Sequence, residues 1–157
     1  MLRRFLLLVF TVAFAAPAQK YDGPRPLKPD LPYLKHASNL IPTEATEAKE
    51  EKGKRDDITY FVAGANSPVK TPLASPIFLM QAEKLVPDRL QLFKLESKNG
   101  RREILFGPKK QRKAIRIEVT RLTSDNLYKI EVDESLEAGE YSLTPEGSNQ
   151  VFCFQVF

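Results

Sequence analysis

Residues 90 to 106 read LQLFKLESKNGRREILF, and this stretch decides the fold class. Asn99-Gly100 is the preferred pair for a two-residue type I′ hairpin, because both residues of that turn take positive φ. With Asn99 and Gly100 as the loop, Lys98 faces Arg101, Leu95 faces Ile104 and Phe93 faces Phe106. Four large apolar side chains then share one face, and a one-residue slip would carry them to the other. On the opposite face Glu96 lies diagonal to Arg101 and Lys98 diagonal to Glu103, which softens the like-charge pairs directly across.

The same period-two grammar runs outward from the hairpin. Strands are predicted near 58–63, 76–82, 90–96, 102–107, 114–120, 127–132, 139–144 and 150–157, separated by turn residues at sandwich spacing. Ile115, Ile117 and Val119 point inward against Arg116 and Glu118. Tyr128, Ile130 and Val132 do the same against Lys129 and Glu131. No helix-period pattern follows Ile58, so residues 58–157 are predicted to form an all-β, antiparallel two-sheet β-sandwich.

Upstream the grammar changes. Arg3 and Arg4, the apolar run Phe5–Ala16 and the small-x-small site Ala16-Pro17-Ala18 read as a secretory signal peptide over residues 1–18. The apolar run is shorter than the roughly 20 residues a bilayer span needs, so no transmembrane segment is expected after cleavage. Export to the periplasm or the extracellular space is the expectation. Residues 19–57 read as a Pro-rich extended arm followed by a charged tether. Pro24, Pro26, Pro29 and Pro32 favour extended geometry. In TEATEAKEEKGKRDD, Ala, Glu and Lys favour one or two turns of helix, or disorder. Leu31, Tyr33, Leu34, Leu40 and Ile41 are too apolar for a plain linker and mark a segment that docks on the domain or on a partner.

The last residues, VFCFQVF, raise the alternative of an outer-membrane barrel. Such barrels need strands of about 9–11 residues with a lipid-facing apolar band. The strands read here are shorter, and their outward faces carry Arg116, Glu118, Lys129 and Glu131. Phe152, Phe154 and Val156 instead form the core face of a terminal sandwich strand. Val151, Cys153 and Phe157 make its second face apolar, so a cover is required, for which the Pro-rich arm is the candidate. Cys153 is the chain's one cysteine and is expected as a buried, free thiol.

Residues 136–143, LEAGEYSL, resemble the L-x-x-G-x-Y-x-L corner of immunoglobulin-like and prealbumin-like β-sandwich modules in exported bacterial proteins. The resemblance implies an Ig-like sandwich. It also implies that Tyr141 is a corner residue, ring buried and hydroxyl bonded to backbone near Ser135 to Ala138. The chain departs from antibody-type domains in having no cysteine pair and no Trp. The resemblance carries no activity with it.

Motifs for catalysis are sparse. The one histidine, His36, sits in the arm, and no glycine-rich phosphate loop or metal-ligand spacing occurs. No catalytic residue, metal or cofactor is assigned. The charge distribution says more. Residues 84–121 hold twelve Lys/Arg against four Asp/Glu, and residues 122–157 hold one Lys against seven Asp/Glu. The basic excess peaks in Lys109, Lys110, Arg112, Lys113 and Arg116, a candidate surface for an anionic partner. The acidic excess gathers at Asp133, Glu134, Glu137 and Glu140. No aromatic residues interleave with the basic ones, so nucleic acid is not the expected partner. The leading expectation is a non-catalytic interaction or adaptor module of the bacterial cell envelope, meeting an envelope protein or an anionic surface polymer. The alternatives are a binder of lipid head groups or polysaccharide through residues 109–116, and an enzyme built on carboxylates. Asn99, Gly100, Phe93, Phe106, Phe154 and Tyr141 are the structural residues on which the reading depends.

Overall fold

The computed structural model describes residues 20–109 and 112–157, so the leader read at residues 1–18 and Lys110 lie outside the described residues. The strands in chain order are β1 (Tyr33–His36), β2 (Asn39–Pro42), β3 (Glu44–Glu47), β4 (Lys49–Lys52), β5 (Ile58–Ala63), β6 (Lys70–Thr71), β7 (Ile77–Gln81), β8 (Leu90–Lys98), β9 (Arg101–Phe106), β10 (Ile117–Arg121), β11 (Leu127–Val132), β12 (Gly139–Pro145) and β13 (Gln150–Val156). Among the described residues the helical elements are two short 3-10 turns, Lys54–Asp56 and Pro87–Arg89. None of the helices is long and apolar enough to cross a membrane.

Two sheets form. The smaller has the order β10-β11-β7-β1-β2, and the larger β3-β13-β12-β8-β9-β5-β4, with β6 beside β13. Pairing is antiparallel throughout, except for the two residues of β6 along β13. The protein is therefore all-β, with two antiparallel sheets stacked as a sandwich. Leu34, Phe78, Met80 and Ile130 from the smaller sheet meet Leu92, Tyr141, Leu143, Phe152 and Phe154 from the larger, each at most 1% exposed. Phe154 lies at the centre, edge-on to Phe78 at 5.0 Å and stacked on Tyr141 at 5.6 Å. The Tyr141 hydroxyl donates to the Glu137 carbonyl at 2.8 Å, within the span from Ser135 to Ala138.

The tether, expected as one or two turns of helix or as disorder, is strand over residues 44–47 and 49–52. Residues 33–42 form a hairpin whose first strand pairs with β7, and residues 44–52 enter the larger sheet. Helix propensity separates Ala, Glu and Lys from strand formers by only tenths of a kcal/mol per residue, so ladder hydrogen bonds override it. The Pro-rich residues before Tyr33 dock on the domain itself. The Asp30 carboxylate accepts the backbone N–H groups of Glu83, Lys84 and Leu85 at 2.9–3.0 Å. Arg25 pairs with Asp125 at 2.8 Å.

Ala48 alone separates β3 from β4, yet these strands stand at opposite ends of the larger sheet's order. Residues 44–47 pair with β13, and residues 49–52 pair with β5. At the opposite corner β8 changes partner in the same way, pairing with β12 along Leu90–Leu95 and with β9 along Glu96–Lys98. The larger sheet is thus closed into a ring of six strands when residues 44–52 are taken as one.

That closure modifies the opening hairpin. Its register is the expected one, Lys98 to Arg101 and Glu96 to Glu103, with Asn99 and Gly100 at φ of 53° and 73°. The ladder stops there because β8 leaves for β12. Beyond that point Ile115 bridges to Leu92, and the 114–120 strand begins only at Ile117. The second face of β13 also finds a different cover. Val151 and Cys153 point into the ring and pack with Val62, Leu95 and Ile104. The far wall of the ring, not the Pro-rich arm, shields them, while Phe157 remains 66% exposed.

Candidate functional site

The ring interior holds side chains from every strand: Ala48 in the 44–52 segment, Tyr60 and Val62 on β5, Phe93 and Leu95 on β8, Ile104 and Phe106 on β9, Ser142 on β12, Val151 and Cys153 on β13. Period-two alternation puts them there once the sheet closes. One end is filled and polar, and the other is open.

At the filled end, Arg102 continues the inward face of Ile104 and is 1% exposed. Its Nη1 and Nη2 donate to the two Glu44 carboxylate oxygens at 2.5 and 3.0 Å. Its Nε and Nη2 donate to the Gly64 and Ala63 carbonyls at 3.0 and 2.8 Å. Burial alone would raise the Glu44 pKa, but bonds from Arg102 and Ser67 and the Arg102 charge bring it below the ordinary value. Glu140, 4% exposed, takes the Ser67 N–H at 3.0 Å through Oε2, while its Oε1 has no partner among the described residues. Burial, with the Glu44 charge added, raises the Glu140 pKa despite Ser67, Arg102 and Lys70. Burial likewise pushes the Cys153 thiol up to about 12, so it stays protonated and unreactive. The loop after β5 closes this end, with the Gly64 N–H on the Gly100 carbonyl at 3.0 Å and the Ser97 hydroxyl on the Ala65 carbonyl at 2.6 Å.

At the open end lies a cavity of about 410 Å³. Ile58, Tyr60, Phe93 and Phe106 line it and are only half-buried. Phe106 stands edge-on to both Tyr60, at 5.8 Å, and Phe93, at 5.6 Å. Gln91, Ser142 and Thr144 make a polar patch next to Phe93, Glu50 and Asn149 lie at the rim, and the buried Arg102 forms the floor. Burial and the neighbouring Glu50 raise the Tyr60 pKa. A volume of this size with an apolar lining and a few polar groups suits a small organic molecule.

Lys109 and Lys113 are exposed. Arg112 pairs with Glu96 at 3.2 Å, and Arg116 reaches Asp133 of the acidic group at 3.0 Å. Lys94 similarly meets Glu137 at 2.8 Å, so the basic and acidic halves of the charge map touch. His36 lies in β1, not in a free arm, and shares a hydrogen bond with Thr71 Oγ1 at 2.9 Å. Arg102, Glu44 and the cavity were missed in the sequence. Arg102 carried a signal, since it has the parity of Ile104 and Phe106, whereas nothing local marked Glu44.

A comparison with known protein families, curated proteins and solved structures finds no match for this chain.

Proposed function

We propose that this chain is an exported, non-catalytic binding module of the bacterial cell envelope, and that its binding site is the open end of the strand ring. The observation that carries this reading is the 410 Å³ cavity with Ile58, Tyr60, Phe93 and Phe106 left half-buried around it. Apolar side chains kept partly in water are stabilised when a ligand covers them. Export rests on the leader pattern of Arg3, Arg4 and Phe5–Ala18. Kinship with immunoglobulin-like or prealbumin-like modules is supported by the Tyr141 hydroxyl on the Glu137 carbonyl. Native mass spectrometry of the chain isolated from cells that make it tests the reading. A small-molecule adduct that leaves on denaturation is expected. A bare chain held instead by a stoichiometric protein would replace the cavity reading with that of an adaptor.

A second reading keeps the basic loop as a surface for an anionic polymer or lipid head group, favoured by the exposure of Lys109 and Lys113. Replacing Lys109, Lys110, Arg112 and Lys113 with Gln should leave Tm nearly unchanged, because exposed charges contribute about 0–1 kcal/mol. Retention on anionic liposomes should fall. Retention that ignores both the substitutions and salt makes the loop a solubility device.

A further inference from the structure

From the chemistry of the cavity walls we infer that the ligand is a small uncharged molecule, a flat aromatic or short acyl compound with at most one neutral hydrogen-bonding group, and that anions are rejected. This rests on the reading of the open end as the binding site, and adds what that site selects.

The apolar wall is Ile58, Tyr60, Phe93, Ile104 and Phe106, which offers ring faces and edges and no unpaired charge. The charged residues lining the cavity are Glu50 at the rim and Arg102 at the floor. An anionic ligand would need Arg102, and Arg102 is already occupied. Four of its five N–H donors go to Glu44, Ala63 and Gly64. Its charge is matched by a bidentate carboxylate. Beside that pair lies a second buried carboxylate, Glu140, close enough that its charge acts on Arg102. A carboxylate or sulfonate entering from the mouth would pass Glu50 and lose its water against a floor already neutralised. Burying such a charge without a partner is strongly unfavourable.

The adjoining patch on β12 and β8 has the opposite character. Ser142 is 3% exposed, and its hydroxyl has only Thr144 Oγ1 as a partner among the described residues, at a long 3.5 Å. Gln91 stands cross-strand from Thr144. These neutral donors and acceptors fit one hydroxyl, amine or carbonyl of a ligand whose body lies on the aromatic wall. Neutral polar groups at a few fixed points in an apolar cavity orient a ligand without demanding a charge.

Two fluorescent probes separate the classes. N-phenyl-1-naphthylamine and 8-anilino-1-naphthalenesulfonate share one ring system and differ by a sulfonate. Titrated into the whole mature chain, the neutral probe should bind saturably at one site. The sulfonate should bind at least about tenfold more weakly, because its charge would be buried without a partner. Thr144→Trp and Gln91→Trp, which fill the mouth from the polar patch, should each weaken the neutral probe by at least about tenfold through steric exclusion. If the sulfonate binds as tightly as the neutral probe with the same response to both variants, the ligand class is overturned while the binding site stands. If the neutral probe does not saturate, or ignores both variants, the site itself is overturned. Should either variant lose its strand circular dichroism, the unmodified chain still decides. Ring proton resonances of Tyr60, Phe93 and Phe106 should shift with the neutral probe, and shifts confined to the smaller sheet would overturn the inference.

Discussion

A guanidinium taken out of water loses its hydration, and at Arg102 the protein replaces it with Glu44 and two backbone carbonyls. Arg102 is 1% exposed whereas the Glu44 side chain is 24% exposed, so the partners are not equivalent. Removing the acid strands a buried cation, while removing the base leaves a carboxylate that can still reach solvent. Glu44→Ala should therefore cost about 3–5 kcal/mol in urea unfolding. Adding Arg102→Met to it should restore most of that loss, because an apolar chain of similar length suits the interior. No recovery in the double variant would show that the pair does more than neutralise itself. Glu140 gives the second prediction at this scale. Its folded-state pKa is raised, chiefly by burial, so the native protein holds its proton more tightly than the unfolded chain. The associated stability is complete below the unfolded value of about 4.3 and is lost as pH rises through the folded value. Glu140→Gln cannot ionise and should match the parent in Tm near pH 4. It should then exceed the parent by a margin that grows as pH rises through the folded value and stays constant above it. A pH-independent difference would contradict this.

The elements differ in what their aromatic residues support. Phe154 on β13 is fully buried between the sheets, touching Phe78 and Tyr141. Phe93 on β8 lines the cavity and is half-buried, with open volume beside it. Phe154→Ala should cost about 3–5 kcal/mol, a large share of a domain's stability. Phe93→Ala should cost about 1–2 kcal/mol, since part of its surface is already exposed to solvent. Equal costs in denaturant unfolding would mean that the ring interior is as tightly packed as the main core. The hairpin at Asn99-Gly100 was legible in advance because the positive φ of its turn is a property of two adjacent residues. The tether at 44–52 was not, because EATEAKEEK carries no apolar alternation and its strands exist only through β13 and β5.

For the whole molecule, the ring is closed by a segment from early in the chain. A chain beginning at residue 58 keeps the strands read from the alternation but lacks β1 to β4. It would expose the β13 edge opposite Cys153, leave Arg102 without Glu44, and free one edge of β7. We expect such a truncation to give poor amide dispersion in NMR and no cooperative melt, while residues 19–157 fold. A cooperative fold from residue 58 would show that closure is dispensable.

What the sequence alone determined is local in origin: the all-β class, the hairpin register and the inward set Phe152, Phe154 and Val156, to which the likeness of residues 136–143 to sandwich corners added the Tyr141 hydroxyl bond. Each follows from the period of two, from turn residues that tolerate positive φ, or from a hydrogen bond four residues back. Only the tertiary structure decided that the larger sheet closes on itself, that Arg102 meets Glu44 across 58 positions of chain, and that a cavity remains at one end. Ring closure depends on which strands become neighbours, a sum of many small pairing and burial energies between distant residues. No short stretch of sequence carries that sum.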